Sequence, residues 1–190
     1  MKIAIVSGTR WQFTCSTPLE RPFGGSESAL CYLAAELARR GEQITLFNGN
    51  ESPSTEDGVQ FRSHTEAAAR GALNAFDLVV VSNTALGRWI RRDLDIKVPL
   101  VLWIQHADDQ PGVQELSRLN ERKTWSRFAF VSEWQRDCFE KKFWVPRERT
   151  RVMRNAVSPA FLERGLEPPW YMTGAAPILV YTSTPFRGLV

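Results

Sequence analysis

The sequence contains few of the residues that build disulfide-rich domains or Cys/His metal sites. Its 190 residues include 3 cysteines (Cys15, Cys31 and Cys138) and 2 histidines. Three scattered cysteines provide neither a disulfide framework nor a CxxC pattern, and they fit a reducing compartment. No DxD pattern with supporting ligands is present. We therefore expect no structural or catalytic metal.

Long apolar runs and a strong excess of charge are also missing. No stretch of 18 apolar residues occurs, and the N-terminus has no basic segment followed by an apolar core. We expect neither a membrane span nor a secretory signal, and hence a cytoplasmic protein. The net charge of +3 is too small to indicate nucleic-acid binding. A chain of 190 residues is long enough for one domain and hardly for two.

Short apolar strands alternate with helical segments along most of the chain. The predicted strands are residues 2–7, 43–47, 76–83, 98–104, 128–132 and 151–155, with a short edge strand at 59–61. The predicted helices are residues 26–41, 65–73, 85–94 and 133–142, with a charged helix within 113–125. The strands are too apolar to leave one face in water. We predict an α/β fold with a Rossmann-like open parallel sheet and helices on both faces.

Ligands of such sheets bind at the carboxyl ends of the strands. The polar residues that follow the predicted strands therefore form the predicted site. They are residues 9–27, Asn83, Thr84, His106, Asp108, Asp109, Ser132, Glu133 and Asn155.

A glycine turn precedes the first long helix and consists of Gly24, Gly25, Ser26 and Glu27. Glycine lets the backbone approach a ligand closely, and the free N–H groups of a helix N-terminus attract anions. Ser26 is the predicted N-cap, and Glu27 complements the helix dipole. The motif is neither GxGxxG nor a Walker loop, and a tight turn without a ligand is the alternative interpretation.

The C-terminal segment differs from the rest of the chain. Residues 162–176 contain Gly, two adjacent Pro and Trp170, and they are predicted to form a linker. Residues 177–183 resemble the first strand of a new domain, followed by Arg187 and Gly188. We expect that the chain stops just inside a second domain and that residues 1–161 form the first.

Seven segments now indicate a family by their order and spacing. They are MKIAIVS, GGSESALCYLAAELARRG, FDLVVVSN, LVLWIQH, FAFVSEWQRDCF, RVMRNAVSPAF and ILVYTSTPFRGL. The chain resembles the N-terminal half of a retaining glycosyltransferase of the GT-B fold, from the large family 4 group. The resemblance covers residues 1 to about 161 as the N-terminal Rossmann-like domain and 177–190 as the start of the C-terminal one.

The resemblance implies a function and a set of site residues. In that family the N-terminal domain binds the acceptor, the C-terminal domain binds most of the nucleotide sugar, and no cofactor is needed. Gly24 and Gly25 match the turn that closes on the donor, His106 matches a catalytic-site histidine, and Arg187 matches a diphosphate contact. The resemblance thus implies the acceptor-side half of a glycosyltransferase, acting on a glycan, lipid-linked or small-molecule acceptor. The family's acidic motif would lie beyond residue 190, so we expect this chain alone to be inactive.

Several residues keep two interpretations. Asn83 and Asn155 can hydrogen-bond a sugar or serve as turn residues, and Asp108 and Asp109 can position an acceptor or simply be solvated. His64 lies in a polar segment and is predicted to be at the surface. As a whole, the chain could instead be a non-catalytic nucleotide- or sugar-binding module. A receiver-type domain is disfavoured because no acidic cluster follows the first strand.

Basic residues are concentrated between positions 136 and 154. This stretch has seven basic residues (Arg136, Lys141, Lys142, Arg147, Arg149, Arg151 and Arg154), three acidic ones, and Phe143 and Trp144 among them. Basic residues mixed with aromatics can mark peripheral contact with an anionic membrane, here the inner membrane. The alternative, which we favour, is a solvated face with buried aromatics.

Overall fold

A computed structural model of the chain describes residues 1–157 together with Met172 and Ala176. Met1–Ala156 form one compact unit. The predicted boundary at residue 161, most of the linker 162–176, the strand 177–183 and Arg187 lie outside the described residues.

Eight strands and six α-helices make up the unit. The strands are β1 (Lys2–Val6), β2 (Gln43–Asn48), β3 (Ser54–Glu56), β4 (Val59–Ser63), β5 (Leu78–Ser82), β6 (Leu100–Ile104), β7 (Arg127–Phe130) and β8 (Thr150–Val152). The α-helices are α1 (Thr17–Glu20), α2 (Gly25–Arg39), α3 (His64–Ala67), α4 (Gly87–Arg92), α5 (Leu119–Arg122) and α6 (Glu133–Phe143). Short 3-10 helices occupy Ala72–Ala75, Pro111–Ser117 and Arg147–Arg149.

The strands form one sheet in the order β3-β4-β2-β1-β5-β6-β7-β8. All neighbouring pairs are parallel except β3 with β4. β1 pairs with β2 on one side and with β5 on the other, so the strand order reverses at β1. The predicted α/β fold with a Rossmann-like open parallel sheet is confirmed. Its switch point, where such sheets bind ligands, lies between the carboxyl ends of β1 and β5.

Apolar side chains cover both faces of the sheet. On one face, Leu30 and Ala34 of α2 pack with Ile5 and Ile44 of the strands. On the other, Phe139 and Phe143 of α6 pack in a second cluster that includes Phe128 and Phe130. Because the central strands alternate their side chains between two apolar layers, nearly every residue of β1, β5, β6 and β7 is apolar, which explains the continuous runs in the sequence.

The structure corrects several local predictions. α2 begins at Gly25 with Gly24 as its N-cap, so Ser26 is not the cap. The loop 8–25 contains α1, and the charged segment 113–125 forms a 3-10 helix followed by α5 instead of one helix. β4 is an interior strand, because β3 pairs with it through a two-residue turn at Asp57 and Gly58. Both turn residues have positive φ, which Asp-Gly accommodates well in hairpins.

None of the helices in the described part of the chain has the length and apolar character needed to cross a bilayer.

Candidate functional site

The carboxyl edge of the sheet gathers most of the residues predicted to form a site. Gly24 is the N-cap of α2, the long helix between β1 and β2, Asn83 follows β5, and His106 follows β6. Because these strands are parallel, the three positions share one edge. Asn155 follows β8 on the same edge, and its Nδ2 lies 3.5 Å from Gln105 Oε1, beside His106.

The glycine turn brings Glu27 onto the N-terminus of α2. A Cβ atom on Gly24 would overlap the Glu27 carboxylate and lie 3.5 Å from the Trp11 ring, so only glycine fits there without movement. A Cβ on Gly25 would meet open space. Glu27 is buried, and within residues 1–157 no side chain accepts a hydrogen bond from the first turn of α2. The N–H groups of Gly25 and Ser26 are thus available to an anion, next to a built-in carboxylate.

His106 is the most unusual polar group on this edge. Within the described residues, its Nδ1 atom is buried and has no hydrogen-bond partner. Burial lowers the pKa of His106 below its ordinary value, and the nearby Glu27 carboxylate opposes this shift only in part. Few buried polar groups stay unpaired in folded proteins. The unpaired nitrogen of this neutral imidazole therefore suits a hydrogen bond to a ligand hydroxyl.

Gln135 holds the loop that carries His106. Its Nε2 donates to the His106 carbonyl oxygen at 2.8 Å, and its Oε1 accepts from the Val131 N–H at 2.8 Å. Ser132, the N-cap of α6, accepts the Gln135 N–H at 3.0 Å. The spacing Ser-x-x-Gln is a capping signature that our sequence reasoning passed over. Gln135 is therefore a positioning residue for His106.

Asn83 is buried, with 4% of its surface exposed, and adopts a left-handed φ of 58°. Its Oδ1 accepts the Gln105 N–H at 2.7 Å. Gly112 packs against it so closely that a Cβ there would lie 2.5 Å from the Asn83 carbonyl oxygen and 3.8 Å from His106 Nδ1. Asn83 thus acts as a turn residue that orders the end of β6, and its side-chain oxygen is already in use.

Asp108 is directed away from His106, toward α6. Lys142 Nζ lies 3.4 Å from its carboxylate and donates to its carbonyl oxygen at 2.6 Å. Asp109 is exposed. Arg187 lies outside the described residues.

Ion pairs partly neutralise the basic stretch 136–154, since Arg136, Lys142, Arg147 and Arg154 each lie within 4 Å of a carboxylate. Arg147 pairs with Asp137 and Glu140, and Arg136 pairs with the same two carboxylates. Phe143 is buried, as the solvated-face interpretation requires, but Trp144 is 78% exposed. The charge of this stretch is therefore less available to a membrane than the sequence suggests.

A cleft of about 820 Å³ with polar and apolar lining residues lies where β1, β2, β4 and β5 end. His64 lies in it and donates from Nε2 to the Ser7 carbonyl oxygen at 3.0 Å. His64 is half-buried, so its predicted surface position is wrong. The position of His64 directly after β4 could have indicated a place at the carboxyl edge of the sheet. This indication was overlooked because β4 was predicted to be a short edge strand. The cleft is lined by Ser7, Asn48, Ser63, Thr84 and Trp89, among others.

A second cleft, of about 730 Å³, opens beside the glycine turn. Arg10, Arg21 and Trp11 line it, and the Trp11 ring is 55% exposed. Exposed aromatic rings and guanidinium groups are suited to stacking on and hydrogen bonding with polar ring-shaped ligands.

The two histidines make folding stability depend on pH. The pKa of His64 is lowered mainly by burial, like that of His106. In the unfolded chain both histidines bind protons near pH 6.5, whereas the folded protein resists protonation. We expect the unfolding free energy to be constant above about pH 7.5 and to fall as the pH drops through 6.5. Urea denaturation at pH 7.5 and 5.5 measures this loss.

The double variant His64→Gln/His106→Gln isolates the effect. Its stability should change less between these two pH values than that of the parent. An unchanged difference would mean that other groups titrate in this range.

No protein-family model matches the chain, and no curated protein matches it significantly. Among the described residues, no group of three or more His, Cys, Asp or Glu side chains could hold a metal ion.

Proposed function

We propose that the chain is the acceptor-side half of a retaining glycosyltransferase that uses a nucleotide-sugar donor. The observation that carries this proposal is the buried, unpaired Nδ1 of His106 on the same edge as the N-terminus of α2. An anion-attracting helix terminus beside a neutral hydrogen-bonding group suits a ligand that combines phosphates with hydroxyls. The family resemblance supports the same assignment.

Each part of the edge has a role in this proposal. The free N–H groups at the start of α2 stabilise negative charge on the departing nucleoside diphosphate. His106 hydrogen-bonds a hydroxyl of the transferred sugar through Nδ1, with Gln135 fixing its backbone. The cleft around His64 holds the acceptor, and Arg187 contacts the diphosphate from the second half of the enzyme. Peripheral membrane contact near Trp144 remains part of the proposal for a lipid-linked acceptor.

The test is a kinetic comparison in the complete product of the gene. His106→Ala should lower kcat/KM for sugar transfer by about tenfold or more, because one hydrogen bond to the reacting sugar is lost. Arg39→Ala, an exposed substitution on α2, is the control and should match the parent. A kcat/KM for His106→Ala close to the parent's would rule out this role.

A non-catalytic nucleotide- or sugar-binding module is the alternative. Saturable nucleotide binding by the complete gene product, without transfer from any donor in a panel of nucleotide sugars, would favour that alternative.

A further inference from the structure

A basic cleft of about 530 Å³ lies on the opposite edge of the sheet, where β7 and β8 begin. Lys123 and Ser126 lie in the segment before β7, Arg127 opens that strand, and Arg149 directly precedes β8. Arg91 of α4 completes the set. Because the strands are parallel, these residues are separated from the carboxyl edge by the length of the sheet.

The cleft concentrates positive charge without a counter-charge among its described lining residues. Of the lining residues that the structure describes, four are cationic and none is acidic, and the buried Glu121 carboxylate behind the lining residue Trp125 accepts its indole N–H. Within residues 1–157, none of the four cations forms an ion pair, whereas Arg136, Lys142 and Arg147 nearby along the chain are all paired. Like charges in one concavity repel, and an anion bound between them would remove that cost.

Arg91 fixes one of these charges in place. Its Nη1 donates at 2.8 Å to the carbonyl oxygens of Ile96 and Val98, and its Nη2 and Nε lie 3.3 and 3.4 Å from the Thr124 carbonyl oxygen. Four hydrogen bonds to backbone oxygens hold the guanidinium group, but none of these partners carries a formal negative charge. The positive field of the cleft is therefore preorganised.

We propose that this cleft binds a phosphate group with two negative charges. Lys123, Arg127 and Arg149 supply further cationic donors beside the fixed Arg91, and hydrogen bonds from cations to phosphate oxygens are among the strong ones. Ser126 Oγ accepts the Leu100 N–H at 3.3 Å, so its own hydrogen remains free to donate to a phosphate oxygen.

The geometry favours a compact phosphate over a nucleic-acid strand. The four cations line one shallow depression of about 530 Å³. The only aromatic residue in the described lining, Trp125, is 1% exposed and donates from Nε1 to Glu121, so it offers no face on which a base could stack.

The test measures thermal stability of the 190-residue chain in sodium phosphate and in sodium chloride at equal ionic strength. We expect phosphate to raise Tm saturably, because a ligand that binds only the folded state stabilises it. In the variant Lys123→Ala/Arg127→Ala/Arg149→Ala, the phosphate concentration that gives half of the Tm increase should be about tenfold higher or more. The control Arg39→Ala/Arg40→Ala/Arg118→Ala removes the same charge from exposed, paired positions and should respond like the parent.

Two results would overturn the proposal. One is a Tm in phosphate no higher than in chloride, and the other is an equal phosphate shift in the cleft variant and the parent. If the triple cleft variant fails to fold, Arg149→Glu compared with Arg39→Glu provides the same test. Tight binding of a single-stranded oligonucleotide without any phosphate shift would also contradict it.

Vesicle flotation separates two sources of the phosphate. Binding of the parent, but not the cleft variant, to phosphatidic-acid vesicles and not to phosphatidylcholine vesicles would identify a lipid headgroup. A cleft-dependent phosphate shift without flotation would identify a soluble phosphorylated compound.

Discussion

Replacing Glu121 by alanine is expected to lower the free energy of unfolding by about 3–5 kcal/mol, because it leaves two buried donors and one partly buried donor unpaired. Glu121 is 2% exposed. Its Oε1 accepts the Gly87 N–H at 2.6 Å and the Trp125 indole N–H at 2.9 Å, and its Oε2 accepts the Arg88 N–H at 2.9 Å. The carboxylate thereby caps the N-terminus of α4 from another helix.

Chemical denaturation in urea measures the loss, and two variants sharpen it. Glu121→Gln keeps one acceptor oxygen but places an NH₂ group against a backbone donor, so about 1–3 kcal/mol should be lost. Glu115→Ala removes an exposed carboxylate three residues from its partner Arg118 and should change stability by less than about 1 kcal/mol. A Glu121→Ala protein as stable as the Glu115→Ala protein would show that the cap contributes nothing.

The sequence did not reveal this cap, because the burial of Glu121 is a tertiary effect. In the sequence, Glu121 is one charge among several in a segment predicted to contain a charged helix. Its three donors come from residues 4, 33 and 34 positions away. Nothing within a helical window distinguishes Glu121 from Glu115, whose carboxylate meets Arg118 at the surface.

The fold was more predictable than its details. Strands buried on both faces leave a strong signal, since a run such as that of β5 or β6 has to be apolar throughout. The sequence signal of β3 and β4 was weaker, because β3 is short and largely exposed. The Asp57-Gly58 pair was nevertheless readable as a hairpin turn, and using it would have moved β4 into the sheet and His64 into the site.

Topology placed residues on the correct edge, but it did not give the direction of their side chains. Asp108 and His106 are two residues apart, yet their side chains have different surroundings. Asp108 pairs with Lys142 on α6, whereas His106 Nδ1, near Glu27, has no hydrogen-bond partner among the described residues. Such directions depend on loop contacts such as that of Gln135, which involve residues distant in sequence. The number of basic residues between positions 136 and 154 was misleading for the same reason, because it does not show which of them form ion pairs. Within the stretch 136–154, Arg136, Lys142, Arg147 and Arg154 form ion pairs, whereas Arg149 has none among residues 1–157 and lines the basic cleft with residues from outside the stretch.

Asn83→Ala is expected to cost about 2–5 kcal/mol of unfolding free energy, the second largest effect. Alanine at the left-handed φ of 58° costs about 1–2 kcal/mol. Loss of Oδ1 leaves the Gln105 N–H unpaired, at about 1–3 kcal/mol. Asn83→Gly removes only the acceptor, since glycine adopts this φ without strain.

The exposed Asp57, with φ of 50°, is a matched control for Asn83. Asp57→Ala introduces the same backbone strain without burial and should cost about 1–2 kcal/mol. Urea denaturation of the three variants therefore separates strain from the lost hydrogen bond. Together with sugar-transfer assays of Asn83→Gly in the complete product of the gene, it also tests whether the Asn83 amide serves only as a turn residue or also contacts the sugar. If the amide only supports the end of β6, Asn83→Gly is less stable than the parent. An Asn83→Gly protein with the stability of the parent and no sugar transfer would place the amide on the substrate.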